Sequence, residues 1–154
     1  MKQGPDLKRI EDNMRSGLLA AHQFLGTDLR TLADIIFQDR LLLEPLGLTA
    51  RAIAERMRYF SEQAEEGQGA KVVDGKFEVE REEHKGSILC PFADNVQASK
   101  SITRLKNLET GMSVIWSDLN IHLIEEHGFF EGHGAPFRIE PVEIAQVLEV
   151  QKEE

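Results

Sequence analysis

The chain has a single cysteine, Cys90, so no disulfide can form within it and no cysteine-rich framework stabilises it. It lacks any run of 18 apolar residues. Its longest stretches, Ile35–Phe37 and Leu41–Leu43, are separated by Gln38, Asp39 and Arg40, so no membrane span is expected. The first 14 residues, MKQGPDLKRIEDNM, contain no apolar core of a signal peptide. With one thiol and neither signal, the expected location is the reducing cytoplasm. Basic residues are in deficit, 18 Lys and Arg against 27 Asp and Glu, and the deficit is concentrated in the second half. Residues 1–69 carry 9 basic and 11 acidic side chains; residues 70–154 carry 9 and 16. A field of that sign repels phosphate backbones, so a nucleic-acid partner is not expected. Internal repeats and low-complexity tracts are also missing.

What is present suffices for a folded domain. Hydrophobic residues make up 41% of 154, enough to bury a core without metal or disulfide. The first 66 residues read as helices. Leu7, Ile10, Met14 and Leu18 fall on one helical face after Pro5, with Ser16-Gly17 as an interruption. Thr27-Asp28 predicts the start of a second helix carrying Leu29, Leu32, Ile36 and Leu43, ended by Glu44-Pro45 and Gly47. Thr49 predicts the cap of a third, whose Ile53, Met57, Phe60 and Ala64 give the most regular stripe in the chain. Glu65–Gly69 reads as a polar joint, dividing a helical segment at 1–66 from a small α+β part at 67–154, the two forming one compact domain.

Beyond the joint the period shortens. Asp74-Gly75 predicts a type I′ hairpin turn into a half-exposed strand with Phe77, Val79 and Arg81 on one side. Ser87–Phe92, closed by Pro91, suggests another strand, and Thr110-Gly111 a turn before Val114-Ile115-Trp116. Ser117 predicts the cap of a helix from Asp118 to His127 that stops at Gly128. A Gly- and Phe-rich loop, Gly128–Arg138, then leads to a last helix opened by Pro141 with Val142, Ala145 and Leu148 on one face. The expected fold class is therefore α+β: N-terminal helices, a small antiparallel sheet, and C-terminal helices around the Gly/Phe-rich loop.

Chemistry concentrates in Ser117–His133, which holds three of the five histidines. On a helix, Asp118, His122 and Glu125 or Glu126 share a face. A carboxylate beside an imidazole fixes its tautomer and raises its basicity, which suits general-base catalysis or metal ligation. The leading expectation is a ligand- or divalent-metal-binding site within residues 118–138. His122 and Asp118 are the catalytic candidates, and His122, Glu126 and Cys90 the metal candidates, with zinc or another divalent ion as cofactor. Ligands can also be gathered across the fold, from Cys90, His122 and either His84 or His127. The metalloprotease patterns do not fit: His122 and His127 are five residues apart, roughly 140° around an ideal helix, a spacing that hinders both from gripping one ion. A Cys90–His122–Asp118 nucleophilic triad has suitable residue types, but Pro91 removes the next backbone N–H.

The Gly128–Arg138 loop is the best pocket candidate, with His133, Arg138 and Phe130 as its ligand-binding residues, although its glycines match no phosphate-binding pattern. The ordinary alternative is a tight connection whose phenylalanines plug the core. The main rival to a metal site is a non-catalytic interaction module acting through the N-terminal helices, including self-association through residues 28–64. Gly47–Met57 resembles the opening of a helix-turn-helix in sound only; no basic second helix follows, so a DNA-binding regulator is the weakest reading.

Overall fold

The computed structural model of the chain describes residues 3–16, 22–64 and 69–152. Leu18, Gly17 and the joint at 65–68, where the two segments were expected to meet, lie outside the described residues. Among the described residues three helices come first: α1 (Pro5–Arg15), α2 (Leu32–Leu43) with a short 3-10 turn at Glu44–Leu46, and α3 (Ala50–Gln63). Six strands follow: β1 (Lys71–Val73), β2 (Phe77–Glu82), β3 (Ser87–Leu89), β4 (Gln97–Ser99), β5 (Ile102–Asn107) and β6 (Ser113–Ser117). Helices α4 (Asp118–His127) and α5 (Pro141–Val147) complete the order. The fold is α+β, with a four-stranded antiparallel sheet in the order β1-β2-β5-β6 and a separate two-stranded β3-β4 hairpin.

Most element ends follow from local chemistry. Asp74 and Gly75 take φ of 52° and 76°, and Lys76 N donates to Val73 O, forming the tight turn between β1 and β2. Thr49 Oγ1 accepts from Ala52 N at the start of α3. Ser117 and Asn120 form a reciprocal capping box at α4, and Gly128 ends that helix at φ 61°. Helix α2 departs from expectation. Its cap is Thr31, not Thr27, and Leu29 is 93% exposed. Asp28 is drawn off instead, accepting locally from Arg30 and across the fold from His133 N. The predicted Ser87–Phe92 strand is also shorter, since β3 ends at Leu89. Pro91 has no N–H for a ladder, and Cys90 N closes a loop by donating to Val96 O at 2.8 Å.

Two hydrophobic clusters share α4. The larger is built from α2, α3, the main sheet and α5, and receives Ile121 and Ile124 from α4. The smaller, holding Met14, Phe24, Leu32, Ile35, Cys90 and Phe129, receives Leu119 and Leu123. Helix α4 therefore buries two sides and leaves a polar edge carrying His122, Glu125 and Glu126. Ile53, Met57 and Phe60, the stripe of α3, are wholly buried in the larger cluster and present nothing to an outside partner.

Candidate metal centre

The loop between β3 and β4, Cys90-Pro-Phe-Ala-Asp-Asn-Val96, is folded by its own short-range bonds. Asp94 Oδ1 accepts from Val96 N at 3.0 Å, an Asx turn, while Ala93 and Asn95 both take left-handed φ near 60°. This conformation turns the Cys90 thiol and the second Asp94 oxygen toward the C-terminal half of α4. There Asp94 Oδ2 lies 2.8 Å from His122 Nε2 and 2.9 Å from His127 Nε2. Cys90 Sγ lies 3.6 Å from the same nitrogen of His127. One potential ligand atom from each of Cys90, Asp94, His122 and His127 falls within 4.8 Å of every other.

The two histidines converge despite the five-residue spacing. Their rings meet edge to face, with centroids 5.4 Å apart and planes at 83°, so both Nε2 atoms reach one carboxylate oxygen from different sides of the helix edge. Phe92 fixes the His127 ring by stacking on it at 4.0 Å and 7°, and is itself held edge-on by Phe129. The hindrance expected from helical angle alone is overcome because the partner comes from another element.

Electrostatically the site is a held carboxylate beside a closed thiol. Burial works against the charge on Asp94, but the Val96 N–H and the His127, His122 and Cys90 side chains hold its carboxyl well below the usual range. A carboxylate accepts only, so each imidazole donates its Nε2–H to Asp94. Burial pushes the Cys90 thiol up to about 12, with Asp94 adding to the effect. A thiol so firmly protonated is a weak nucleophile. The ligand side chains are not sealed off: Asp94 is 26% exposed, His127 19% and His122 15%, so an ion has a way in.

Of the residues singled out by sequence, Cys90, His122 and His127 come together here. Glu126 is exposed and outside the group. Asp118 bonds not to His122 but to Arg81, through a bidentate pair at 2.8 and 2.7 Å, and to Ser99 Oγ at 2.7 Å. His84 pairs with Glu82 at 3.0 Å, away from the group. In the Gly/Phe loop, Phe130 is buried in the larger cluster and His133 is exposed. Arg138 is locked between Asp39, Glu140 and the Glu131 carbonyl. Sequence reasoning missed Asp94. The available signal was Asp94-Asn95 as a turn pair four residues after a cysteine, between two apolar stretches, which marks a loop but no ligand.

No family model matches the chain, and neither a curated protein nor a solved structure matches it significantly. Its chemistry is therefore read from the donor set alone. A thiol, two imidazoles and a carboxylate could hold a metal ion. Among the described residues, no helix is long and apolar enough to cross a membrane.

Proposed function

We propose that the protein is a divalent-metal-binding domain in which Cys90, Asp94, His122 and His127 hold one zinc ion and so clamp the β3–β4 loop to α4. The observation that carries this reading is the meeting of both Nε2 atoms and the Cys90 sulfur around a single Asp94 oxygen. Bonds of about 2.0–2.3 Å in a tetrahedron place neighbouring ligand atoms about 3.3–3.8 Å apart. The Cys90–His127 separation of 3.6 Å already falls in that range, and the two His–Asp contacts need to open by only about half an ångström. An ion entering here takes the place of the Nε2 protons, which move to Nδ1 or to solvent, and sends the Cys90 thiol proton to solvent. A mixed sulfur, nitrogen and oxygen set favours zinc over magnesium or calcium, which prefer all-oxygen shells. Four protein ligands make a closed, structural site rather than one with an open catalytic position. Phe92 and Val96 support the first ligands as the neighbouring shell does in metalloproteins generally.

The test is calorimetric titration of chelator-stripped protein with zinc, alongside cobalt substitution. One ion per chain is expected, with a thiolate-to-cobalt charge-transfer band that disappears in Cys90→Ser. His122→Ala, His127→Ala and Asp94→Ala should each weaken zinc by roughly 10- to 100-fold or more, while His84→Ala leaves it unchanged. A stripped protein that takes up neither ion, or one whose affinity is indifferent to Asp94→Ala, overturns the proposal.

A further inference from the structure

A cavity of about 390 Å³ lies at the N-terminal end of α4, lined by Ser117 and Leu119, and Glu131 is the group that gives it a chemistry. Its walls include Phe24, Ile88, Leu119 and Phe137, and its depth holds the Glu131 carboxyl, only 4% of that residue being exposed. Asn120 Nδ2 donates to Glu131 Oε2 at 3.0 Å while its Oδ1 is occupied by the Ser117 cap. No second side chain or backbone donor of the described residues reaches this carboxyl, so its other oxygen is left to the cavity. The backbone here is constrained for the purpose. Glu131 sits at φ 70°, a costly region for a residue with a Cβ. It is held there by Arg138, whose guanidinium donates to the Glu131 carbonyl at 2.8 Å, and by Gly132 N donating to Phe24 O at 2.8 Å.

The titratable groups lining the cavity differ in exposure. Glu131 is buried; His22, His84 and Lys100 are exposed residues at the rim. Arg138 lies behind Glu131, occupied with Asp39 and Glu140. A buried acid, apolar walls and exposed bases complement a molecule with the opposite charges.

We infer that this cavity binds a small zwitterion with an apolar body, its ammonium group on Glu131 and its carboxylate toward Lys100 and the rim histidines. An ammonium donates to the carboxyl oxygen that Asn120 leaves free and, on binding, sends the carboxyl proton to solvent, so that charge meets charge inside the cavity. The inference is independent of the proposed metal centre, which shares no side chain with the cavity.

Titration with 4-(aminomethyl)benzoate, benzylamine and benzoate, followed by amide and side-chain NMR shifts, decides it. The expected order of affinity is zwitterion, then amine, then benzoate, with the shifts centred on Phe24, Leu119 and Glu131. Glu131→Gln keeps the shape and the Asn120 bond and should cost benzylamine roughly tenfold or more in affinity. Lys100→Met should erase the zwitterion's advantage over benzylamine without weakening the amine. Benzoate binding as well as benzylamine, equal binding in Glu131→Gln, or no binding of any of the three overturns the assignment. His122→Ala must leave all three affinities as they were, which separates this result from that of the zinc titration.

Discussion

At the scale of single residues, buried charge decides what the protein tolerates. Arg138 and Asp39 are both nearly enclosed and meet in a bidentate pair, which fixes the C-terminal loop to α2. Glu131 is the contrasting case, a buried acid with one amide for company. Burial pushes it up to about 8, against the opposing pull of Asn120 and Arg138. The folded protein keeps that proton until about pH 8, whereas the unfolded chain releases it near the ordinary 4.5. Between those values the folded state binds more protons, so its stability falls as pH rises through this window and levels off above it. Glu131→Gln should remove the fall, gaining on the order of 4–5 kcal/mol over wild type above about pH 8 and nothing below about pH 4. Urea unfolding across that range measures the difference. Parallel wild-type and variant curves would show that the carboxyl titrates as if in water.

At the scale of elements, legibility in the sequence tracks how local the deciding chemistry is. Ser117, Asn120 and Gly128 bound α4 through contacts within a few residues, and the helix runs over the span that they predict. Asp74-Gly75 likewise forms its expected turn. The expected start of α2 at Thr27 lies too early: Asp28, read as its first-turn residue, bonds instead to Arg30 and, across the fold, to His133, and Thr31 caps the helix. The candidate metal centre is half legible for the same reason. The density of histidine and carboxylate on α4 is visible in the chain, and Cys90 is a ligand type, but Asp94 becomes a partner only when the β3–β4 hairpin docks on the helix. In the Gly/Phe loop Phe129 and Phe130 are buried and Gly132 lies against the backbone of Leu25, whereas Phe137 is half-buried and lines the cavity beside Glu131. A Cβ added at Gly132 would lie 2.3 Å from Leu25 O, and neither strand of chain can retreat without breaking the Gly132–Phe24 bond. Gly132→Ala should therefore cost about 2–3 kcal/mol in chemical unfolding. A silent Gly132→Ala would mean that the loop and residues 23–28 are not in close contact.

At the scale of the whole molecule, α4, like α2, contributes side chains to both hydrophobic clusters, so whatever grips it should be felt throughout. The outer face of residues 28–64 keeps Leu29, Leu41, Leu42 and Leu46 exposed, and these, not Ile53 or Met57, are the side chains through which self-association would have to act. We expect metal to work differently, from inside. Cys90 belongs to the smaller cluster, and the helix carrying His122 and His127 supplies Ile121 and Ile124 to the larger one. A clamp between them cannot open without disturbing both. Zinc at about a hundredfold excess over its Kd should add roughly 2.7 kcal/mol to global stability, since it binds the folded state alone. For a chain of this size that is a rise of roughly 5–11 °C in Tm, and it should appear as a shift of one cooperative transition. Asp94→Ala should melt with no zinc-dependent rise, and hydrogen exchange should slow on zinc addition in α3 and β5 as well as in the β3–β4 loop. Protection confined to residues 87–99 would make the loop a separate, locally folding unit, with α4 bearing its load without passing it on.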